Sequence, residues 1–464
     1  MLRRKFSGTA GFVFTLLVAT NGQTGFAFTK TGTIYSTDGS QADVVAAIAN
    51  AANGDTVGIP AGSFTWGAAG SSISLNKPIT MKGAGTGQTF INLSATGPSW
   101  ASGVIRIGSA ASVINLTING ANSGNVAAFA CGADGWKIAG VDFKGGTDSA
   151  YFVYVGAGSG LINNCNIAGG NGSTELIFGR GPADGWQTPP TMGTINATYI
   201  EDCTFSGSGY LTDANANAKF VVRFCTINGQ QKVDGHGKAS NTPARGVRHM
   251  EVYGNRWAAG GYYTAIELRG GTAMVFDNTA LASDGGSWLI LTEYGSTALW
   301  PNFGNRYQTP ANYPVDDQIG VGMDPKVAAS EPMYLWNNQR AGTAWPLTAL
   351  AIPAAAITQY GSAYTMYDIV RSDRDYFVGA APFNGTSGVG TGTAAQMRAI
   401  TPTKKNVGFW VTDEGEWNSR HAGPDGRLYV WNGIAWSLKY TPFTYPHPNA
   451  MPRPTAPKSL RIAQ

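Results

Sequence analysis

The densest run of reactive side chains in this 464-residue chain is Lys232-Val233-Asp234-Gly235-His236-Gly237-Lys238, followed closely by Arg245-Gly246-Val247-Arg248-His249. In an extended strand, side chains two positions apart point the same way, so Asp234 and His236 share a face. The flanking glycines leave room for a ligand to reach the backbone. Two chemistries fit these residue types. In the first, a base such as His236 removes a proton next to a carboxylate that Arg248 or Lys232 neutralises, and elimination follows. In the second, Asp213 and Asp234 act as paired acid and base in a hydrolysis. The catalytic candidates are therefore His236, Asp234, Arg248 and Asp213.

A repeated phrase shows what must position them. Ile162-Asn163-Asn164-Cys165-Asn166-Ile167 returns as Ile200-Glu201-Asp202-Cys203-Thr204-Phe205, Val222-Arg223-Phe224-Cys225-Thr226-Ile227 and Val252-Tyr253-Gly254-Asn255-Arg256-Trp257. Aligned on its fourth residue, the series runs through Leu116, Val141, Cys165, Cys203, Cys225, Asn255 and Asn278, at steps of 25, 24, 38, 22, 30 and 23 residues. The long steps are the short unit plus an insertion. Its third column reads Asn115, Gly140, Asn164, Asp202, Phe224, Gly254 and Asp277. All but Phe224 accept positive φ cheaply, which predicts a tight bend between two short strands. Each unit becomes strand, bend, strand, loop, strand. Such a unit cannot bury its own apolar positions, whereas stacked copies about 4.8 Å apart share one core.

These phrases, LINNCNI, YIEDCTF and FVVRFCTI above all, resemble coils of the right-handed parallel β-helix proteins, the pectate-lyase-like superfamily. The resemblance implies an all-β solenoid over roughly 55–310. It is specific for fold and weak for activity, because the superfamily includes polysaccharide lyases, glycoside hydrolases, esterases, tailspikes and proteins with no assigned chemistry. Gly235-His236-Gly237 also resembles the Gly-His-Gly of polygalacturonases, with Thr212-Asp213 one coil earlier, while the paired Asp-Asp, Asn-Thr-Asp and Arg-Ile-Lys motifs of that family are absent. The expected ligand is an extended polysaccharide. β-Elimination on a uronic-acid polymer ranks first and glycoside hydrolysis second; a non-catalytic adhesive role for the same fold is a third reading.

The two insertions, roughly 178–194 and 229–247, fall in one sector of the coil and so wall a groove. The strands expected to line it are 175–180, 210–215, 232–236, 265–269 and 289–294. Lys232, Arg245, Glu267, Arg269, Glu293, Arg180 and Trp186 are the candidate substrate-binding residues. Stacking in register crowds these charges and shifts their pKa values; the same residues also describe a plain salt-bridge ladder on a solvent-facing sheet. No compact Asp cluster or zinc spacing is visible, so no metal ligand is assigned, and calcium is the one cofactor compatible with single acids on successive coils. His249 and His447 read as packing residues.

Composition narrows the partners. Charged residues make up 13% of the chain, its net charge is +4, and it carries 13 Trp and 19 Tyr. A weak, scattered charge argues against nucleic acid, and a neutral polar surface rich in aromatics suits sugars. Arg3, Arg4 and Lys5 before an apolar 10–19 stretch read as an export signal over 1–27, which leaves no membrane span and a secreted or periplasmic protein. Residues 28–54 then form an N-terminal cap, with Ser40 opening an amphipathic helix. Residues 311–464 read as irregular coils, a hairpin turning at Asn432-Gly433 and a C-terminal cap; an aromatic carbohydrate-binding hairpin is the alternative there. Three of the four cysteines share the inward column and are expected to stack as buried thiols, with a Cys203–Cys225 disulfide as the alternative.

Overall fold

A computed structural model describes residues 27–98, 101–120, 126–145, 152–169, 175–179, 189–237, 246–258, 264–281, 289–291, 318–322, 330–345, 347–349 and 370–451. The apolar leader expected at the N-terminus lies outside them. Among the described residues no helix is long and apolar enough to cross a membrane.

The coils stack as the repeat requires, and the fold is a right-handed parallel β-helix. One inward column shows the register: Val57, Met81, Val113, Ile138, Ile162, Ile200, Val222, Val252, Val275 and Leu335 pair successively on parallel strands. All are buried, so each coil caps the apolar surface of the one before it. The bend column has φ between 52° and 66° at all seven expected positions, Phe224 included. An eighth copy of the phrase lies beyond residue 310, where it was not recognised: Met333–Trp336 and Gln339–Arg340 continue the strands on either side of the bend at Asn337, φ 52°. A long insertion and the polar Gln339 and Arg340 hide it in the sequence.

Cys165, Cys203 and Cys225 occupy consecutive coils as buried free thiols, each donating to a backbone carbonyl of the preceding coil. Their column changes chemistry at Asn255. Asn255 donates to Asn278 Oδ1 at 3.1 Å and Asn278 to Asn338 Oδ1 at 2.8 Å, so an asparagine ladder replaces the thiols.

The helix Gln41–Asn50 starts at Ser40, whose hydroxyl accepts from Asp43 N–H, and its Val44, Ala47 and Ile48 close the end of the apolar core. Asp43 completes the cap differently from the sequence pattern, accepting from the N–H of Phe28 and Asp38.

The tail builds a sheet of its own. Strands Val389–Gly392, Gly408–Val411, Arg427–Trp431 and Trp436–Tyr440 form a separate sheet, with the hairpin turning over 432–435. This sheet packs along the side of the solenoid. The physical reason is on the outer face of the first sheet, the 22-stranded one that carries the inward column, where Leu161, Tyr199, Val221, Tyr253, Met274, Phe276, Tyr334 and Trp336 share one buried cluster with Trp410, Trp417, Tyr440 and Tyr445. An outward face this apolar needs a cover.

Candidate functional site

A ten-stranded parallel sheet forms another side of each coil and contains the strands expected to line the groove: Glu175–Gly179, Ser208–Ala214, Gln230–Gly235, Ile266–Leu268 and Leu289–Leu291. Thr212, Val233, Ile266 and Leu289 are in register and face the core. Period-two alternation therefore turns the next position outward, where Asp213, Asp234 and Glu267 pair across adjacent strands. One step further, backbone bonds from His236 to Ala214 O and from Arg269 to Gly235 O set His236 and Arg269 side by side. Gly235 itself faces inward, where a Cβ would meet Met250 Cε at 1.9 Å. A side chain at this position would displace the end of the Met250 side chain.

The ions interlock. Arg269 contacts Asp234 and lies 3.3 Å from Glu267; Lys232 contacts Glu267, lies 3.6 Å from Asp234 and sits 4.1 Å above the ring of Tyr210. Asp234 is fully buried, and Asp213, Glu267 and Arg269 nearly so. Thr212 Oγ1 accepts from Asp234 N–H at 3.1 Å, and its hydroxyl lies 3.3 Å from Asp234 O, which fixes the strand pair. Burial pushes Asp234 up to about 7, against the pull of Arg269 and Lys232. Burial lowers His236, and Gly237 O, 2.7 Å from Nδ1, holds the ring proton there; His236 is neutral at neutral pH. Burial works against the charge on Lys232, yet Asp234 and Glu267 keep its pKa above the ordinary value. Asp213 Oδ1 and Asp234 Oδ1 are buried and accept no hydrogen bond, so two carboxylate oxygens of the cluster stay unsatisfied.

Six predicted residues thus meet: Asp213, Lys232, Asp234, His236, Glu267 and Arg269. Arg248 does not, which is a correction. It precedes the strand His249–Tyr253 at the corner into the first sheet, and its buried guanidinium pairs with Glu331 at 2.8 Å. Arg180, Trp186, Arg245 and Glu293 lie outside the described residues, as do the stretches 180–188 and 238–245 of the two insertions. Tyr210 and Thr212 were missed; both stand on the Asp213 strand, where a register shift between Tyr210 and Thr212 breaks the alternation and sets Tyr210 opposite Lys232, which counting from Asp213 does not reveal. His249 is fully buried, and His447 packs against Tyr199 at 5.1 Å with burial lowering it to about 4.

The cluster does not suit calcium. Lys232 and Arg269 already stand between Asp234 and Glu267, and a cation set among two cations is opposed by both. Among the described residues no group of three or more His, Cys, Asp or Glu is placed to hold a metal ion.

The fold and this face define the protein's class as a parallel β-helix carrying an ionic cluster on one sheet. No protein-family model matches the sequence, and no curated protein matches it. Among solved structures it is similar to pectin methylesterase from carrot, with TM-score 0.35 and 14% identity over 74% of this chain and 96% of that one. Pectin methylesterase PemA from Erwinia chrysanthemi gives 0.35 and 12% over 74% and 98%. An alginate lyase from Paenibacillus sp. str. FPU-7 gives 0.28 and 15% over 68% and 98%. These similarities concern the course of the backbone alone.

Proposed function

We propose that the protein binds an extended polysaccharide across the outer face of the ten-stranded sheet and hydrolyses it with Asp213 and Asp234 as the working pair. One observation carries this reading: two register-adjacent carboxylates each keep a buried oxygen without a hydrogen bond. Arg269 orients Asp234 and favours its ionised form, the state required of a base or nucleophile. Asp213, on the neighbouring strand, gives its proton to the leaving glycosidic oxygen, and the proton is replaced from the attacking water. Lys232 and Glu267 hold the pair in place from the far side.

A neutral His236 favours a second reading, β-elimination, since an imidazole without its extra proton is a competent base. That reaction also needs a cation to neutralise the uronate. Lys232 and Arg269 are already in contact with carboxylates and Arg248 pairs with Glu331, which supports the hydrolytic reading over elimination.

The test is a panel of neutral, uronic-acid and esterified polysaccharides. New reducing ends without absorbance from an unsaturated product support hydrolysis, and such absorbance would assign the site to elimination. Methanol or acetate released without new reducing ends would move the carboxylate pair to an ester bond. No product from any polymer would overturn catalysis and leave an adhesive protein.

A further inference from the structure

We propose that a cavity of about 270 Å³ between the bend edge of the coils and the C-terminal sheet binds one uncharged pyranose residue of a neutral glycan. It lies on the first sheet's side of the solenoid and shares no residue with the Asp213–Asp234 cluster.

Its floor is built by the repeat. Tyr253 and Phe276 occupy one outward row on adjacent coils, with ring centroids 4.6 Å apart and planes 10° from parallel, and Trp336 continues the stack at 4.5 Å. The C-terminal sheet supplies the walls. Trp410 packs 5.2 Å from Phe276, and Trp417 meets Tyr253 edge-on at 5.7 Å, so the two indoles flank the floor and leave the cavity between them. Gly254 keeps the entrance open. Its φ of 66° continues the bend column, and a Cβ there would press on the Phe224 ring at 2.7 Å. On earlier coils the same edge is closed: Tyr445 covers Phe224 with ring centroids 3.9 Å apart, and Asn164 donates to Met451 O. The cover ends at Gly254 and Asp277.

The mouth is polar where the floor is aromatic. Thr412, His421 and Asp277 are exposed, whereas Tyr253, Phe276, Trp410 and Trp417 are buried. His421 is held by its 2.8 Å contact with Asp425 Oδ1, and Asp425 Oδ2 accepts from Asn418 N–H at 2.8 Å, so the mouth is preformed. A pyranose has this two-sidedness: an apolar C–H face that stacks on indole, and hydroxyls that both donate and accept. Charge selects among sugars. Among the described residues the cavity is lined by two carboxylates and by no Lys or Arg, an arrangement that repels a uronate. Both carboxylates already hold neutral or histidine partners at the rim, away from the aromatic floor, which is unlike a cage built around a quaternary ammonium.

The experiment is calorimetric titration and saturation-transfer NMR of the full chain with cello-, xylo-, malto- and laminarihexaose, and with oligogalacturonate and tetramethylammonium as contrasts. At least one neutral hexasaccharide should bind, and Trp417→Ala should weaken it about tenfold or more through loss of the stacking face. His421→Ala, at an exposed position that the fold does not need, should weaken it less but measurably. Asp234→Asn should bind it as the parent does, so failure of the sheet-face reading and failure of this one are separable. The proposal is overturned if no neutral sugar binds, if binding survives both variants undiminished, or if oligogalacturonate or tetramethylammonium binds the pocket better than every neutral sugar.

Discussion

Two buried ion clusters sit on outward faces of the same solenoid, and they differ in how completely their hydrogen bonds are met. On the first sheet, Arg223 and Glu201 are both fully buried and 2.6 Å apart. Arg223 also donates to Tyr253 Oη, Phe443 O and Thr444 O, while Glu201 accepts from His447 N–H. Tail and coil use every group. On the ten-stranded sheet, Asp213 and Asp234 each retain a buried oxygen with nothing bound to it. A saturated cluster holds a fold together; an unsaturated one is positioned to receive something else. Burial and ion pairing alone do not separate the two, since both clusters have them.

Breaking the unsaturated cluster should change chemistry and spare the fold. Asp234→Asn is expected to lower turnover by about 10²–10⁴-fold, with the thermal midpoint unchanged or raised because a buried charge is removed. An equal collapse of activity and folding would class the cluster with its saturated counterpart. Breaking the saturated one should do the reverse. Arg223→Ala leaves Glu201 buried without its cation and should cost about 3–5 kcal/mol in denaturant unfolding, with the tail detaching first in hydrogen exchange.

A third measurement uses pH. Glu251, under the tail, accepts from Tyr440 Oη and Gly193 N–H, and burial raises it from its ordinary 4.5 to about 7. The folded state holds that proton more tightly than the unfolded chain. Its contribution to stability is therefore full below pH 4.5 and declines as pH rises to about 7. In Glu251→Gln this part of the slope should vanish; an unaltered slope would mean another group titrates. The smallest effect sharpens the active pair. Lys232→Met removes a cation beside Asp234, so the acid limb of kcat/KM, set near pH 7 by Asp234, should move to higher pH. An unmoved acid limb would show that Lys232 does not act on Asp234.

Much of this was legible in the chain because a solenoid repeats its local rule. The positive-φ column, the inward apolar column and the crowding of Asp213, Lys232, Asp234, His236, Glu267 and Arg269 all follow from counting positions along strands. Counting failed where the chain leaves the repeat. Arg248 is at a corner, where alternation no longer says which way a side chain points, and Glu331, its partner, follows a long insertion. The eighth copy of the phrase was lost for the same reason.

By itself the sequence determined the coil, its bend and the stacking register, since each depends on contacts between residues one repeat apart. Only the tertiary structure decided which outward face the tail seals. That outcome rests on contacts across more than two hundred residues, such as Arg223 with Phe443 and Asp202 with Tyr445, where a distant segment supplies the hydrogen bonds and aromatic cover that the coils lack. No spacing along the chain encodes such a meeting.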